Sequence, residues 1–174
     1  MQNGSMFPLF MNYSDMDTKA NIIAYKEDLA ERFRDLNIAW LQKYFYVEPI
    51  DEEMLSQPRQ YIIEKGGHIY FAEWKGTIAG TFALMPLDDG IYELGKMAVD
   101  EQFQGKRIGH SMLEFCLHRA IELKARKVIL YSNTKLKPAI HLYRKFGFIE
   151  IPLGDTIYKR SDIKMERKLY YEQD

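Results

Sequence analysis

The sequence predicts a mixed α/β fold, with a mainly antiparallel central sheet and helices on both faces. Three observations carry that reading. Residues 68 to 99 hold three apolar, aromatic-rich runs parted by short turns, the pattern of an antiparallel meander. Ile91 to Val99, an amphipathic stretch from Ile108, and Lys127 to Ser132 read as strand, crossover helix and strand, which makes a parallel pair. A second amphipathic stretch precedes the meander and supplies helix for the other face.

The elements follow in order. Residues 1 to 20 are weakly patterned and are expected to form a loosely docked segment. Asn21 to Tyr25 is a short apolar run and reads as the first strand. From Lys26 to Phe45, apolar residues recur at Leu29, Phe33, Leu36, Trp40, Leu41 and Tyr44, which predicts an amphipathic helix with a break near Asn37. Asp51 opens a second helical piece, which Pro58 restarts and Gly66-Gly67 stops. His68 to Trp74, Thr77 to Leu84 and Ile91 to Val99 are the meander, with turns at Lys75-Gly76 and Asp88-Asp-Gly90. A helix from Ile108 to Ala125 leads to the buried-type strand Lys127 to Ser132. Leu136 to Phe146 is a short helix with Pro138 in its first turn and Gly147 as its left-handed stop. Phe148 to Pro152 and Ile163 to Leu169 are the last two strands.

A chain of 174 residues fits one domain over 1–174, long enough to bury a full core. With 47% apolar and 28% charged residues it reads as an ordinary globular protein. A net charge of -1 argues against a general nucleic-acid binder. The single Cys116 excludes an internal disulfide framework and fits a reducing, cytoplasmic location. No apolar run approaches a membrane span, and the first residues lack a signal peptide's basic start and apolar core. The expectation is therefore no membrane partner.

The stretch Tyr92 to Leu113 organises the rest. Gly105 and Gly109 bracket Lys106, Arg107 and Ile108, and the helix starts there. A glycine-bearing turn opening a helix directs unpaired N–H groups outward, and the macrodipole adds partial positive charge. That combination suits a diphosphate.

Gln104-Gly-Lys-Arg-Ile-Gly109, preceded by Met97-Ala-Val99, resembles the acyl-CoA pyrophosphate loop of the GCN5-related N-acetyltransferases, the GNAT superfamily. That family's pattern is Arg/Gln-x-x-Gly-x-Gly/Ala. Gln104 and Gly109 match it, while Arg107 stands where the middle glycine belongs. A helical backbone at 107 would tolerate any L-residue, whereas a positive φ would not. A second family-like block, Ala139-Ile-His-Leu-Tyr-Arg-Lys-Phe-Gly-Phe148, lies about forty residues further on, at the family's spacing. The resemblance spans roughly Asn21 to Leu169.

The resemblance implies several things. The sheet should splay between its fourth and fifth strands, and acetyl-CoA, a co-substrate, should enter the opening. Backbone groups at Met97, Ala98 and Val99 would bond the pantetheine arm as an added strand would, and an N–H near Met97 would polarise the thioester carbonyl. The turn Gln104, Gly105, Lys106, Arg107, Ile108, Gly109 and His110 would anchor the phosphates. For the side chains of Lys106 and Arg107 a solvated position is equally open, because main-chain donors suffice. Asn133 resembles the polar residue that meets the pantetheine or adenosine end. The family's more usual asparagine would fall at Leu136, and Ala139 belongs to the same wall.

Two residues are candidates for proton transfer. Glu93 lies where some relatives keep a base that deprotonates the amine. A carboxylate on a strand beside a cavity is costly to bury ionised, which raises its pKa toward a useful value. A rim glutamate facing solvent is the alternative. Tyr143 falls where the family's phenol protonates the leaving thiolate, with a packed core tyrosine as the alternative. The acceptor pocket should lie between the first helices and the last hairpin, with Trp40, Tyr44, Tyr46, Glu48, Tyr158 and Arg160 as candidates. Glu48 would suit a cationic amine and Arg160 an acidic group.

His68, His110, His118 and His141 lack ligand spacing, so no metal is expected. Cys116 sits on an apolar helix face and reads as core. The expected activity is acetyl transfer from acetyl-CoA to a small-molecule or peptide amine. A non-catalytic acyl-CoA-binding or sensing module on the same fold is the rival. Homodimers are common in the family, and the resemblance allows one here.

Overall fold

The computed structural model describes residues 19–169. Seven strands form one sheet: β1 (Asn21–Ala24), β2 (His68–Trp74), β3 (Thr77–Pro86), β4 (Ile91–Val99), β5 (Lys127–Ser132), β6 (Ile149–Ile151) and β7 (Ile163–Lys168). Their order is β1-β2-β3-β4-β5-β7-β6, and every pairing is antiparallel except that of β4 with β5. The longer helices are α1 (Ala30–Tyr44), α2 (Pro49–Ser56), α3 (Ile108–Glu122) and α4 (Lys137–Lys145). This is the predicted fold class. The expectation for residues 1–20 lies outside the described residues, apart from Lys19 and Ala20.

Side chains alternate across the sheet and divide the core in two. On one face Tyr70, Phe82, Leu84 and Leu94 pack against Met112, Leu113 and Cys116 of α3 and Ile140 of α4. On the other, Ile69, Phe71, Ala83 and Met85 pack against Phe33 and Leu41 of α1 and Met54 and Leu55 of α2. Each large apolar side chain buried this way contributes about 1.5–3 kcal/mol. Gly80 lets α3 lie close on the sheet. A Cβ there would meet the Ala98 carbonyl oxygen, Ile108 and Met112, each at 3.1 Å. That close approach brings the start of α3 beside the end of β4.

Three expectations change. α1 is not broken at Asn37. The side chain is buried and its Nδ2 donates to the Phe33 carbonyl at 3.0 Å, so the helix carries its own partner for the amide. α2 begins at Pro49 rather than Asp51, with Asp51 as the third residue of a capping box. α3 ends at Glu122, three residues short of Ala125. Gly147 follows α4 with φ +84°, the left-handed stop that its sequence predicts.

Two irregularities in β4 shape the site. Its pairing with β5 runs only from Ile91↔Lys127 to Glu93↔Ile129. Beyond that, β4 stays with β3 as far as Val99, and β5 stays with β7 as far as Ser132. The two inner edges therefore part. The second irregularity is a bulge. Thr81 faces Ala98 and Ala83 faces Gly95, so Phe82 alone opposes Lys96 and Met97. Lys96 takes φ +51° there, a left-handed backbone that glycine favours.

Candidate active site

The parting of β4 and β5 opens a cavity of about 930 Å³, the size of a small-molecule site. Residues Leu94 to Val99 form one wall, and Tyr131, Ser132 and Asn133 form the other. α1 contributes Trp40 and Tyr44, and α4 contributes Ala139, Leu142 and Tyr143. Arg32 ties α1 across the end of β4, donating to Asp100 at 2.7 Å and to the Ile78 carbonyl at 2.9 Å. Lys43 adds a 2.6 Å ion pair to Glu101.

The start of α3 stands at the cavity's edge. The first-turn N–H groups of Ile108, Gly109 and His110 have no carbonyl to bond within the helix, and no side chain caps them. Gly109 lines the cavity, and a Cβ there would meet Leu142 at 3.4 Å and Met97 at 3.7 Å. Gln104 also lines it. The other residues of the turn face elsewhere. Lys106 and Arg107 are exposed, Ile108 is buried in the core, and the His110 ring packs on Phe146 at 4.8 Å. Of this turn, Gln104 and Gly109 line the cavity and these four do not.

Arg107 is the departure from the motif, and its backbone is left-handed, with φ 57° and ψ 29°. A non-glycine residue pays about 1–2 kcal/mol for that conformation. The loop keeps its shape at the cost of strain rather than by relaxing to a helical start.

Glu93 and Tyr143 both line the cavity. Among the described residues, no fully buried side-chain nitrogen or oxygen lacks a partner. Neither the Glu93 carboxyl nor the Tyr143 hydroxyl bonds another described residue, so both open into the cavity. Burial raises the Glu93 carboxyl above its ordinary range, and the charges of Lys96 and Lys164 oppose that only in part. Burial raises Tyr143 to about 12, with a smaller push from Cys116. Cys116 is buried in the core, and its thiol is likewise raised to about 12 by burial. It is not a lining residue of the cavity.

The acceptor candidates divide. Trp40, Tyr44, Tyr158 and Arg160 line the cavity. Tyr46 is exposed, and Glu48 is buried outside the cavity wall. Glu48 and Arg160 are partners of one another, at 2.7 Å, rather than two independent ligands. Glu48 also accepts from the Lys159 N–H at 3.2 Å. Asn133 reaches the cavity, but its amide is engaged. Nδ2 donates to the Arg160 carbonyl at 2.7 Å and Oδ1 accepts from the Lys135 N–H at 3.0 Å. Its role is to fasten the loop after β5. Leu136 and Ala139 also line the cavity.

Two residues that sequence reasoning passed over stand at the centre of this end. Asp51, fully buried, accepts from Arg160 at 2.6 and 3.0 Å, from Lys96 at 3.2 Å and from the Glu48 N–H at 3.0 Å. Burial alone would raise its carboxyl, but the Arg160 bond and the charges of Lys96 and Arg160 outweigh that and hold it below the usual range. The Lys96 ammonium lies 4.7 Å over the Tyr158 ring. A signal existed for each: a lysine inside an apolar strand is costly, and Glu48-Pro-Ile-Asp51 has capping-box spacing.

A mixed sheet that parts between its two parallel strands, beside a helix start with free N–H groups, defines a class of α/β protein that offers strand edge and helix donors along one cleft. The chain belongs to the acetyltransferase (GNAT) family, whose model matches residues 31–148. It is 23% identical over 121 residues to an uncharacterized N-acetyltransferase of Schizosaccharomyces pombe, covering 66% of this chain and 74% of that one. An acetyltransferase of the GNAT family from Staphylococcus aureus superposes with a TM-score of 0.78 at 23% identity, covering 86% of this chain and 99% of that one. A Bacillus subtilis acetyltransferase in complex with CoA gives 0.68 at 19% identity, covering 87% of this chain and all, 100%, of that one. At these identities the two solved structures speak for the fold.

Proposed function

We propose that the protein transfers an acetyl group from acetyl-CoA to a primary amine by direct attack within a ternary complex. The observation that carries this is the meeting of Glu93 and Tyr143, both unbonded, on one cleft with a free strand edge and an uncapped helix start. The residues present suit the co-substrate. The inner edge of β4 around Met97 offers main chain to a pantetheine arm. The first turn of α3 offers N–H groups to a diphosphate, and Gly109 leaves room for it.

Each residue then has one task. Glu93, held above the usual carboxylate range by burial, takes the proton from the amine directly or through a water. The amine nitrogen forms its bond to the acetyl carbon as the carbon–sulfur bond breaks. Tyr143 gives its proton to the leaving sulfur. A phenol raised to about 12 keeps its proton at neutral pH until charge develops on the sulfur, and gives it up as the thiolate leaves. Glu93 ends protonated and Tyr143 ionised, and exchange with water restores both. Direct attack is supported by the placement of Cys116, which is buried in the core and is not a lining residue of the cavity.

Calorimetric titration with acetyl-CoA, alongside an assay of CoA release on a panel of amines, tests this. Saturable binding and amine-dependent release are expected. Gly109→Glu should abolish binding while circular dichroism stays native, because it places a carboxylate at the mouth beside Leu142 and Met97. Binding without release from any amine would leave an acyl-CoA sensor, and unchanged affinity in Gly109→Glu would put the phosphates elsewhere.

A further inference from the structure

The buried charges at the acceptor end are unequally satisfied. Asp51 receives four bonds, two from Arg160 and one each from Lys96 and the Glu48 N–H. That fills a carboxylate's roughly four lone-pair positions. Glu48 is spent on Arg160 and on the Lys159 N–H, outside the cavity wall. The cations are not filled. An ammonium has three N–H donors, and among the described residues Lys96 bonds only Asp51. A guanidinium has five, and Arg160 uses three, for Glu48 and twice for Asp51.

Both cations line the cavity, and both are poorly hydrated. Their side chains are 5% and 14% exposed. Burying a donor without an acceptor costs free energy, and burying a charge costs more. Lys96 meets that cost on a left-handed backbone, which adds its own strain. The acceptor end of the cavity thus displays spare cationic donors beside a filled Asp51 carboxylate. Two such donor groups on one cavity wall suit an anion with two oxygens.

We infer that the acceptor is a small amine that also bears a carboxylate, an amino acid in chemical class, with its carboxylate held by Lys96 and Arg160. This rests on acetyl transfer to an amine at the same cleft. Lys96 and Glu93 line the same cavity and lie near enough for their charges to interact, so a carboxylate on Lys96 leaves the amine of the same small molecule toward Glu93. A bound carboxylate also offsets the positive charge that burial disfavours at Lys96.

The experiment is a matched series: phenylalanine, its amide and 2-phenylethylamine, then lysine, its amide and 1,5-diaminopentane. kcat/KM for each carboxylate member should exceed both counterparts by about tenfold or more, the scale of one charge-assisted hydrogen bond. The amide has a less basic amine than the amino acid and the decarboxylated member a more basic one, so the two counterparts bracket amine basicity. Lys96→Met should bring the ratios toward one, and a ratio within one protein does not depend on how much of it is folded. A preference for the amide or decarboxylated member overturns the inference, and so does a carboxylate preference that Lys96→Met leaves intact. The same series is titrated into the protein with and without acetyl-CoA. Failure of acetyl-CoA to bind overturns acetyl transfer, whereas binding that ignores the carboxylate overturns this inference alone.

Discussion

Glu93 faces Ile129 in the last rung that joins β4 to β5, and the cleft begins at the next residue. The carboxyl is thus fixed by sheet pairing on one side and opens into the cavity on the other. Its environment follows from that position: low polarity, two lysines near enough to matter, and no bonded partner among the described residues.

Glu93 makes two predictions from one pKa. Glu93→Gln should lower the acetyl-transfer rate by about 10²-fold and remove the acidic limb of the rate profile. Its effect on stability has the opposite sign. Because the folded carboxyl is raised above its ordinary 4.5, the stability tied to it is fully present in acid and lost as pH rises through the raised value. Glu93→Gln should therefore be more stable than wild type at neutral pH, and the gain should fade in acid. Denaturant midpoints at two pH values check this, and a mutant less stable at neutral pH would contradict it.

Tyr143→Phe removes a hydroxyl that bonds no other described residue and keeps the ring that packs on Phe148 at 6.0 Å. Stability should change little. The chemical step should slow by about 10²-fold, and less for an acyl donor with a more acidic thiol. With the phenol raised to about 12, no alkaline limb near neutrality should come from Tyr143. Single-turnover rates equal to wild type for every donor would make Tyr143 a packing residue.

Arg107→Gly relieves a left-handed backbone at φ 57°. It should stabilise the protein by about 1 kcal/mol, less whatever glycine adds to unfolded-chain entropy. For a chain of this size that is a rise in Tm of roughly 2–4 °C. Acetyl-CoA affinity should hold, because the donors there are main chain. A lowered Tm in a thermal scan would show that the arginine side chain contributes more than its backbone costs.

Asp51→Asn leaves Arg160 and Lys96 partly unpaired in a buried place. At neutral pH the loss should be about 3–5 kcal/mol, as for breaking other buried pairs. Asp51 is held below its ordinary 3.8, so its stabilisation is present above that value and lost as pH falls through the lowered one. The gap between mutant and wild type should narrow in strong acid. A gap independent of pH would mean the carboxyl acts through shape alone.

Local pattern accounts for much of what the sequence revealed. β2, β4 and β5 occupy the predicted residues because alternation and turn chemistry are read within a few positions. The crossover from β4 to β5 follows from element order, and Gly109 and Tyr143 from spacing within motifs. The rest depends on partners distant in the chain. Arg160 and Asp51 are 109 residues apart, so no window shows that they meet, or that Glu48 is already taken. The bulge at Lys96 exists only relative to Phe82 on β3. Arg107's left-handed backbone comes from a loop whose geometry outweighs the residue's own preference.

The bulge has a consequence for how this strand tolerates change in length. Before it, Tyr92 and Leu94 pack toward α3 and α4; after it, Met97 and Val99 do. Even positions hand over to odd ones, which one surplus residue makes possible. Deleting one residue here would restore plain alternation and leave Met97 and Val99 on the face they now hold, with Val99 still opposite Gly80 and Ala98 opposite Thr81. β4 can thus lose one residue at the bulge without exchanging its faces, and a single-codon deletion at residue 96 would straighten the strand that borders the cleft and remove the Lys96 ammonium from it.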